Sequence, residues 1–351
     1  MVVGAGVSFS RNLPSWQNLV EQTWAAHFDT RHSLPWRLSP ADEEALELLA
    51  RHGVDPDHLQ SMRKRLGAAS PLAFPMAFEL IEERLASKLP RRGGLAFAGA
   101  LRKLLYRDEA AARQDDTLAV LADVLRQEQS GRWSRIQRVI TFNVDDLLER
   151  EVQGDISYRQ QPIIWPISRA SNHPRRERGA NGRPPIPVYH LHGFLPKKLK
   201  AWHLAAPDTL IFTDAQYWAS CASPLSFANK IMSHALHDSH CVFIGLSMTD
   251  INLIRWLGIR FNEICDDKRE QFKQKAATPH SAHKRRHGSI EKEIRAAQRR
   301  AISRHYWIRT EASADWLFRS FFLRRGVASV IIPSWNPPDF QKLMRECFPP
   351  E

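Results

Sequence analysis

Apolar positions recur along this chain in two rhythms. Short β-branched runs at Arg138–Phe142, Pro187–Leu191, Thr209–Phe212, Cys241–Ile244, His305–Ile308 and Ala328–Ile332 read as buried strands. From about Ala41 to Gln129 the apolar spacing is helical instead, as in Ala77–Leu85 and Leu118–Leu125. Helical stretches also separate most of the strands, the alternation of an α/β protein with a Rossmann-like, doubly wound parallel sheet. The helical block over 41–129 then reads as an insertion between the first two core strands of a single domain spanning 1–351. Only Met1–Val3 precede the first glycine turn, whereas a buried strand usually runs about five residues. Either the first strand is very short or the natural start lies upstream. Ser15 precedes an amphipathic helix as its expected N-cap. Two segments look loose: Ser171–Pro185, rich in Arg, Gly and Pro, and a basic flexible segment over 267–289.

Composition narrows the class. A chain of 351 residues with 43% hydrophobic content can bury a substantial core. No run reaches the roughly 18–20 apolar residues of a membrane helix, and the start lacks a secretory leader, so a cytoplasmic protein with no membrane partner is expected. Cys221, Cys241, Cys265 and Cys347 are widely spaced with no CxxC pair, which argues against zinc, any other metal centre or a disulfide framework. The net charge of +12 raises the question of nucleic acid, but residues 266–309 alone hold thirteen Lys/Arg against five Asp/Glu. A solvated face explains such a local excess better than a nucleic-acid surface does.

Four short stretches at the ends of apolar runs carry the chemistry, where a parallel sheet presents its ligand-binding loops. Gly4-Ala5-Gly6-Val7-Ser8 is a strand-to-helix glycine turn of the kind that lets backbone approach a pyrophosphate. Thr141-Phe142-Asn143-Val144-Asp145-Asp146 sets Asn143 and Asp145 at the mouth of a strand, where an uncharged Asn suits a ribose hydroxyl or a water. Asp145 or Asp146 also suits capping the helix that follows, and Asp146 is the better fit to that role. His190-Leu191-His192-Gly193 ends another strand, with both histidines expected on one face of the pleat. A histidine near its ordinary pKa can take a proton at neutral pH, although a lone one is more often structural. Ile244-Gly245-Leu246-Ser247-Met248-Thr249-Asp250 offers a second glycine-and-hydroxyl turn suited to a ribose, or a plain helix cap by Thr249 or Asp250. Together they point to a nucleotide site, with NAD the best fit.

In this order and at these separations the four stretches resemble the sirtuin-like (SIR2-type) family, in the branch found among bacterial anti-phage defence NAD hydrolases. GAGVS followed by Leu13-Pro14-Ser15-Trp16 resembles the first NAD-binding turn and the start of the cofactor loop. TFNVDDLLE, HLHG and IGLSMTDIN resemble the later motifs, and Ile211–Tyr217 is similar to a further segment of that branch. The resemblance implies that Gly4, Ala5, Gly6, Ser8 and Trp16 bind NAD with Gly245 and Ser247. It makes Asn143 the residue that orders the ribose or the attacking water, Asp145 the holder of the nicotinamide carboxamide and His192 the general base. NAD is then a substrate, hydrolysed to nicotinamide and ADP-ribose, with a homo-oligomer or a partner protein of a defence system as restraint. Two departures weigh against the deacylase branch: the zinc ribbon is missing, and Trp16-Gln17 stands where deacylases carry Phe-Arg. An NAD-dependent deacylase or ADP-ribosyltransferase is the alternative enzyme, and a non-catalytic NAD or ADP-ribose sensor the alternative of another class.

Overall fold

The computed structural model describes residues 1–28, 34, 40–56, 59, 73–88, 93–111, 116–131, 134–154, 162–169, 182–198, 210–277, 304–311 and 316–349. In chain order its elements are β1 (Val2–Val3), α1 (Trp16–His27), α2 (Pro40–Arg51), α3 (Ala73–Lys88), α4 (Gly93–Leu105) and α5 (Thr117–Ser130). There follow β2 (Val139–Thr141), α6 (Leu147–Gln153), β3 (Ile164–Ile167), β4 (Ile186–His190), α7 (Asp214–Ala222), α8 (Phe227–Asp238) and β5 (Val242–Ile244). The last are α9 (Ile251–Ala277), β6 (His305–Thr310), α10 (Trp316–Arg324), β7 (Val327–Ile332) and α11 (Pro337–Cys347). The strands pair in the order β3-β4-β2-β1-β5-β6-β7, every neighbour parallel. Strand order reverses about β1, so the loops after β1 and β5 flank the switch point where such sheets bind ligands.

Alternation along the strands sorts side chains to two covered faces, as a parallel sheet requires. Val2, Ile140, Tyr189, Phe243 and Trp307 join Met232 and Leu236 of α8, Leu253 and Leu257 of α9 and Phe322 of α10 in one buried cluster. On the other face, Val3, Thr141, Val188 and His190 meet Leu118 of α5 and Leu148 and Glu149 of α6. Helices on both faces make this the Rossmann-like α/β fold that the alternation predicts. No described helix is long and apolar enough to cross a membrane.

The chain divides into two compact units: Met1–Arg11 with Ala110–Ala205 and Ser220–Glu351, and Asn12–Glu109 with Ala206–Ala219. The first holds the whole sheet. It also holds α5, whose apolar spacing is indistinguishable in sequence from that of the block before it. The second is built from α1 to α4 and the beginning of α7, and its centre is aromatic. The Phe212 ring lies 4.9 Å from Trp16 and 5.1 Å from Phe78, with Phe97 at 6.1 Å.

That cluster corrects one expectation. Residues 210–212 are not a strand: Leu210 and Phe212 are buried as packing anchors, and the Phe212 N–H donates to Gln216 Oε1 at 2.9 Å instead of to a neighbouring strand. Strand β3, absent from the expected set, contains Pro166, which breaks the β-branched signature but is tolerated at a sheet edge. The basic segment expected to be loose from 267 is helical as far as Ala277, as the end of α9. Lys, Arg, Glu and Gln are good helix formers without any apolar stripe, and Asp266 pairs with Arg269 one turn on. Residues 278–289 lie outside the described set, as do 171–181 of the other segment.

After β1 the chain makes two 3₁₀ turns, Ala5–Val7 and Phe9–Arg11, and the second is clamped. The buried Arg11 guanidinium pairs with Asp116 and lies 2.7 Å from Glu151 of α6, while Asp116 caps α5 through the Ala119 N–H at 2.8 Å. Asp116→Ala removes a cap and leaves a buried cation half-compensated. It should lower the unfolding free energy by about 3 kcal/mol in urea denaturation.

Candidate active site

The two glycine turns meet each other. Gly4 N donates to Ile244 O at 2.9 Å and Gly6 N to Gly245 O at 2.9 Å. A Cβ on Gly4 would lie 2.7 Å from Gly245 O, and one on Gly245, whose φ is +65°, would lie 2.8 Å from Val7 N. Close approach of the loops after β1 and β5 therefore requires these glycines. The amides of Gly4 and Gly6 are spent on that contact, and those of Val7 and Ser8 on the carbonyls of Gly4 and Ala5. The helix N-terminus expected directly after the turn is replaced by the 3₁₀ turns. Gly6 and Ser247 remain exposed, and Ala5 and Gly245 half-buried, so a ligand would meet them as a rim.

Behind the rim lies a buried polar knot. Ser8 Oγ donates to Asp145 Oδ2 at 3.1 Å and accepts from Asn143 Nδ2 at 3.1 Å. The same Asn143 amide donates its other hydrogen to Gly4 O at 3.2 Å, which leaves Oδ1 as the acceptor it offers. The Leu147 N–H donates to Asp145 Oδ1 at 3.1 Å. Asp145 thus supplies the cap expected from Asp146, whose carboxylate goes to Arg150 at 2.9 Å and the Lys197 N–H at 3.1 Å. Ser8, Asn143, Asp145, Glu149 and His190 line a cavity of about 10 Å³, the room of a single water.

The two histidines part. Strand β4 ends at His190, which turns toward α6, with Nδ1 2.9 Å from Asn143 O and Nε2 2.8 Å from Glu149 Oε1. His192 lies beyond the strand end, in a turn whose Gly193 has φ of +88°. Its ring is edge-on to Phe142, at 5.3 Å, on the α9 side. The two residues do not share a face, because the pleat stops between them. His192 Nε2 is 3.8 Å from Asp250 Oδ2, and Asp250 caps α9 through the Leu253 N–H at 2.9 Å. Ser247 Oγ pairs with Thr249 Oγ1 at 2.7 Å. Trp16 sits in the aromatic cluster of the second unit. Among the described residues no group of three His, Cys, Asp or Glu could hold a metal ion.

Burial sets the protonation of this site. Desolvation pushes the Asp145 carboxyl up to about 6, against the pull of the Leu147 N–H. Desolvation likewise holds His192 below its ordinary value, opposed by Asp250, so its imidazole is neutral at pH 7 and able to accept a proton. Burial alone would depress His190, but Glu149 reverses the sign and raises it.

Residues 137–302 match the family model described as a SIR2-like domain. Over these residues the chain is similar to a SIR2-like domain. The matched stretch holds β2, β4, β5 and α9, and with them Asn143, Asp145, His192, Gly245 and Ser247. The Gly4–Ser8 turn lies outside the match but is bonded to it through β1, which pairs with both β2 and β5. The match is consistent with an NAD-related function. No curated protein matches the chain. Glu149 and His190 were the partners that sequence reasoning missed. The available signal was a carboxylate at the start of a helix otherwise buried there, and a histidine two residues before the one singled out.

The raised Asp145 value has a stability consequence. Its folded pKa lies above the ordinary aspartate value of 3.8, so the cost of burying the anion is absent near pH 4 and grows as pH rises through about 6. Asp145→Asn should be more stable than the wild type by about 1–2 kcal/mol at pH 8, with the gap closing toward pH 4, in urea unfolding at both pH values.

Proposed function

We propose that the chain is an NAD hydrolase that cleaves NAD to nicotinamide and ADP-ribose, acting as an NAD-depleting effector of anti-phage defence. The observation that carries this reading is the meeting of Ser8, Asn143 and Asp145 from the loops after β1 and β2, beside the switch point and, for the latter two, within the SIR2-like match, with a neutral His192 on the loop after β4. The knot's own cavity takes one water, so the dinucleotide lies outside it, along Ala5, Gly6, Gly245 and Ser247. Asn143 Oδ1 accepts from a ribose hydroxyl or from the attacking water. The bond between nicotinamide and C1′ breaks with its electron pair leaving on nicotinamide, water oxygen bonds to C1′, and the water's proton passes to His192. Asp145 holds the nicotinamide carboxamide.

The water nucleophile sets this reading apart from a deacylase, and the sequence holds no CxxC pair of the kind a zinc ribbon uses. An enzyme that depletes the NAD of its own cytoplasm needs restraint, which a homo-oligomer or a partner protein of the same defence system would supply.

Purified protein incubated with NAD alone should release nicotinamide and ADP-ribose in equal amounts by chromatography. Asn143→Ala and His192→Ala should each lower kcat by at least about 10²-fold while remaining folded. The acid limb of the wild-type rate should lie below pH 6.5, in keeping with the lowered His192 value. Release only with an acyl-lysine or protein acceptor would make the chain a deacylase or transferase. Saturable NAD or ADP-ribose binding without product would make it a sensor.

A further inference from the structure

The loop after β2 loses its sheet partners gradually. The Leu191 N–H still bonds Thr141 O at 2.9 Å, and the Leu195 N–H bonds Val144 O at 2.7 Å. Between them, Asn143 O is met by a side chain, His190 Nδ1 at 2.9 Å. A carbonyl oxygen only accepts, so Nδ1 must carry a hydrogen. The other ring nitrogen faces Glu149 Oε1 at 2.8 Å, and His190 and Glu149 are 1% and 0% exposed.

We infer that His190 and Glu149 are a buried positioning pair that fixes the Asn143 backbone and thereby aims its carboxamide, a role that rests on the NAD-cleaving reading of the site. A neutral imidazole carries one hydrogen, and with it on Nε2 the bare Nδ1 would face Asn143 O lone pair to lone pair, pushing the loop away. Glu149 prevents this by holding a proton in the Nε2 contact while Nδ1 keeps its own. The groups facing His190 are Glu149 from α6 and Asp145 from the β2–α6 loop, both carboxyls, and both favour the doubly protonated ring. Asn143 gains by this a fixed main chain on one side, while its amide is held by Gly4 O and Ser8 Oγ on the other. Neither His190 nor Glu149 touches substrate, since both are sealed behind the knot.

The test uses the full chain labelled with ¹⁵N. At neutral pH, both ring nitrogens of His190 should be protonated in the wild type, with the signal assigned by its loss in His190→Gln. Glu149→Ala frees the tautomer. It should shift the Asn143 side-chain amide resonance and lower kcat for NAD by about 10²-fold with little change in KM, as expected for a misaimed group. Glu149→Gln can turn its amide to donate to Nε2, which keeps the hydrogen on Nδ1, and should restore both the resonance and most of kcat. Should Glu149→Ala fail to fold, Glu149→Met, which fills the volume without a polar end, takes its place. An unprotonated Nδ1 in the wild type, or a folded Ala or Met variant with unchanged Asn143 resonance, overturns the pair's role. So does an unchanged kcat in an active enzyme. A wild type that leaves NAD intact refutes the hydrolase reading alone, and the two resonances still decide whether His190 and Glu149 position Asn143.

Discussion

Two backbones pass so closely at the centre of the sheet that neither can carry a side chain there. The contact of Gly4 and Gly6 with the Ile244–Gly245 turn closes the gap between the loops after β1 and β5, and the amides of Gly4 and Gly6 are consumed in making it. Because β1 is two residues long, its place between β2 and β5 depends on this contact as much as on its own ladder. Ser8 reaches Asn143 and Asp145 only because the turn is held there. The glycines that look in sequence like a phosphate cradle thus act first on protein, and present a ligand with a rim.

The polar knot behind that rim is costly to bury and is satisfied almost atom by atom. Serine links the amide of Asn143 to the carboxyl of Asp145, and imidazole links a main-chain carbonyl to a glutamate. Such a network tolerates little slack, since each member left unpaired in a low-dielectric site costs more than its bond gains when made. The arrangement favours a fixed Asn143 over maximal stability, and the Asp145 carboxyl, held near neutrality, bears part of that cost.

What could be read from sequence followed the strength of the local signal. Strands β2, β4, β5, β6 and β7 are β-branched runs of the right length, and their alternation with helices gave the fold class. Strand β3 was hidden by Pro166, and Leu210–Phe212 mimicked a strand because an aromatic anchor and a core strand present the same apolar residues. At the site, the loops bearing Asn143, His192 and Gly245 were legible because they end such runs. The split between His190 and His192 was not, because it depends on where β4 stops. Glu149 escaped notice since a carboxylate in the first turn of a helix usually faces water, and only the tertiary contact with His190 explains its complete burial.

The pairing of β1 also orders events in time. Val2 is paired on one side with Ile140 and on the other with Phe243, so β1 has no complete berth until β5 has emerged from the ribosome. At typical rates of synthesis that wait is on the order of 10–50 s, during which the second unit, whose first segment lies wholly between, has every opportunity to form ahead of the sheet. Strand β1 would then be the last to lock, and the polar knot would assemble only when the rest of the domain is already in place.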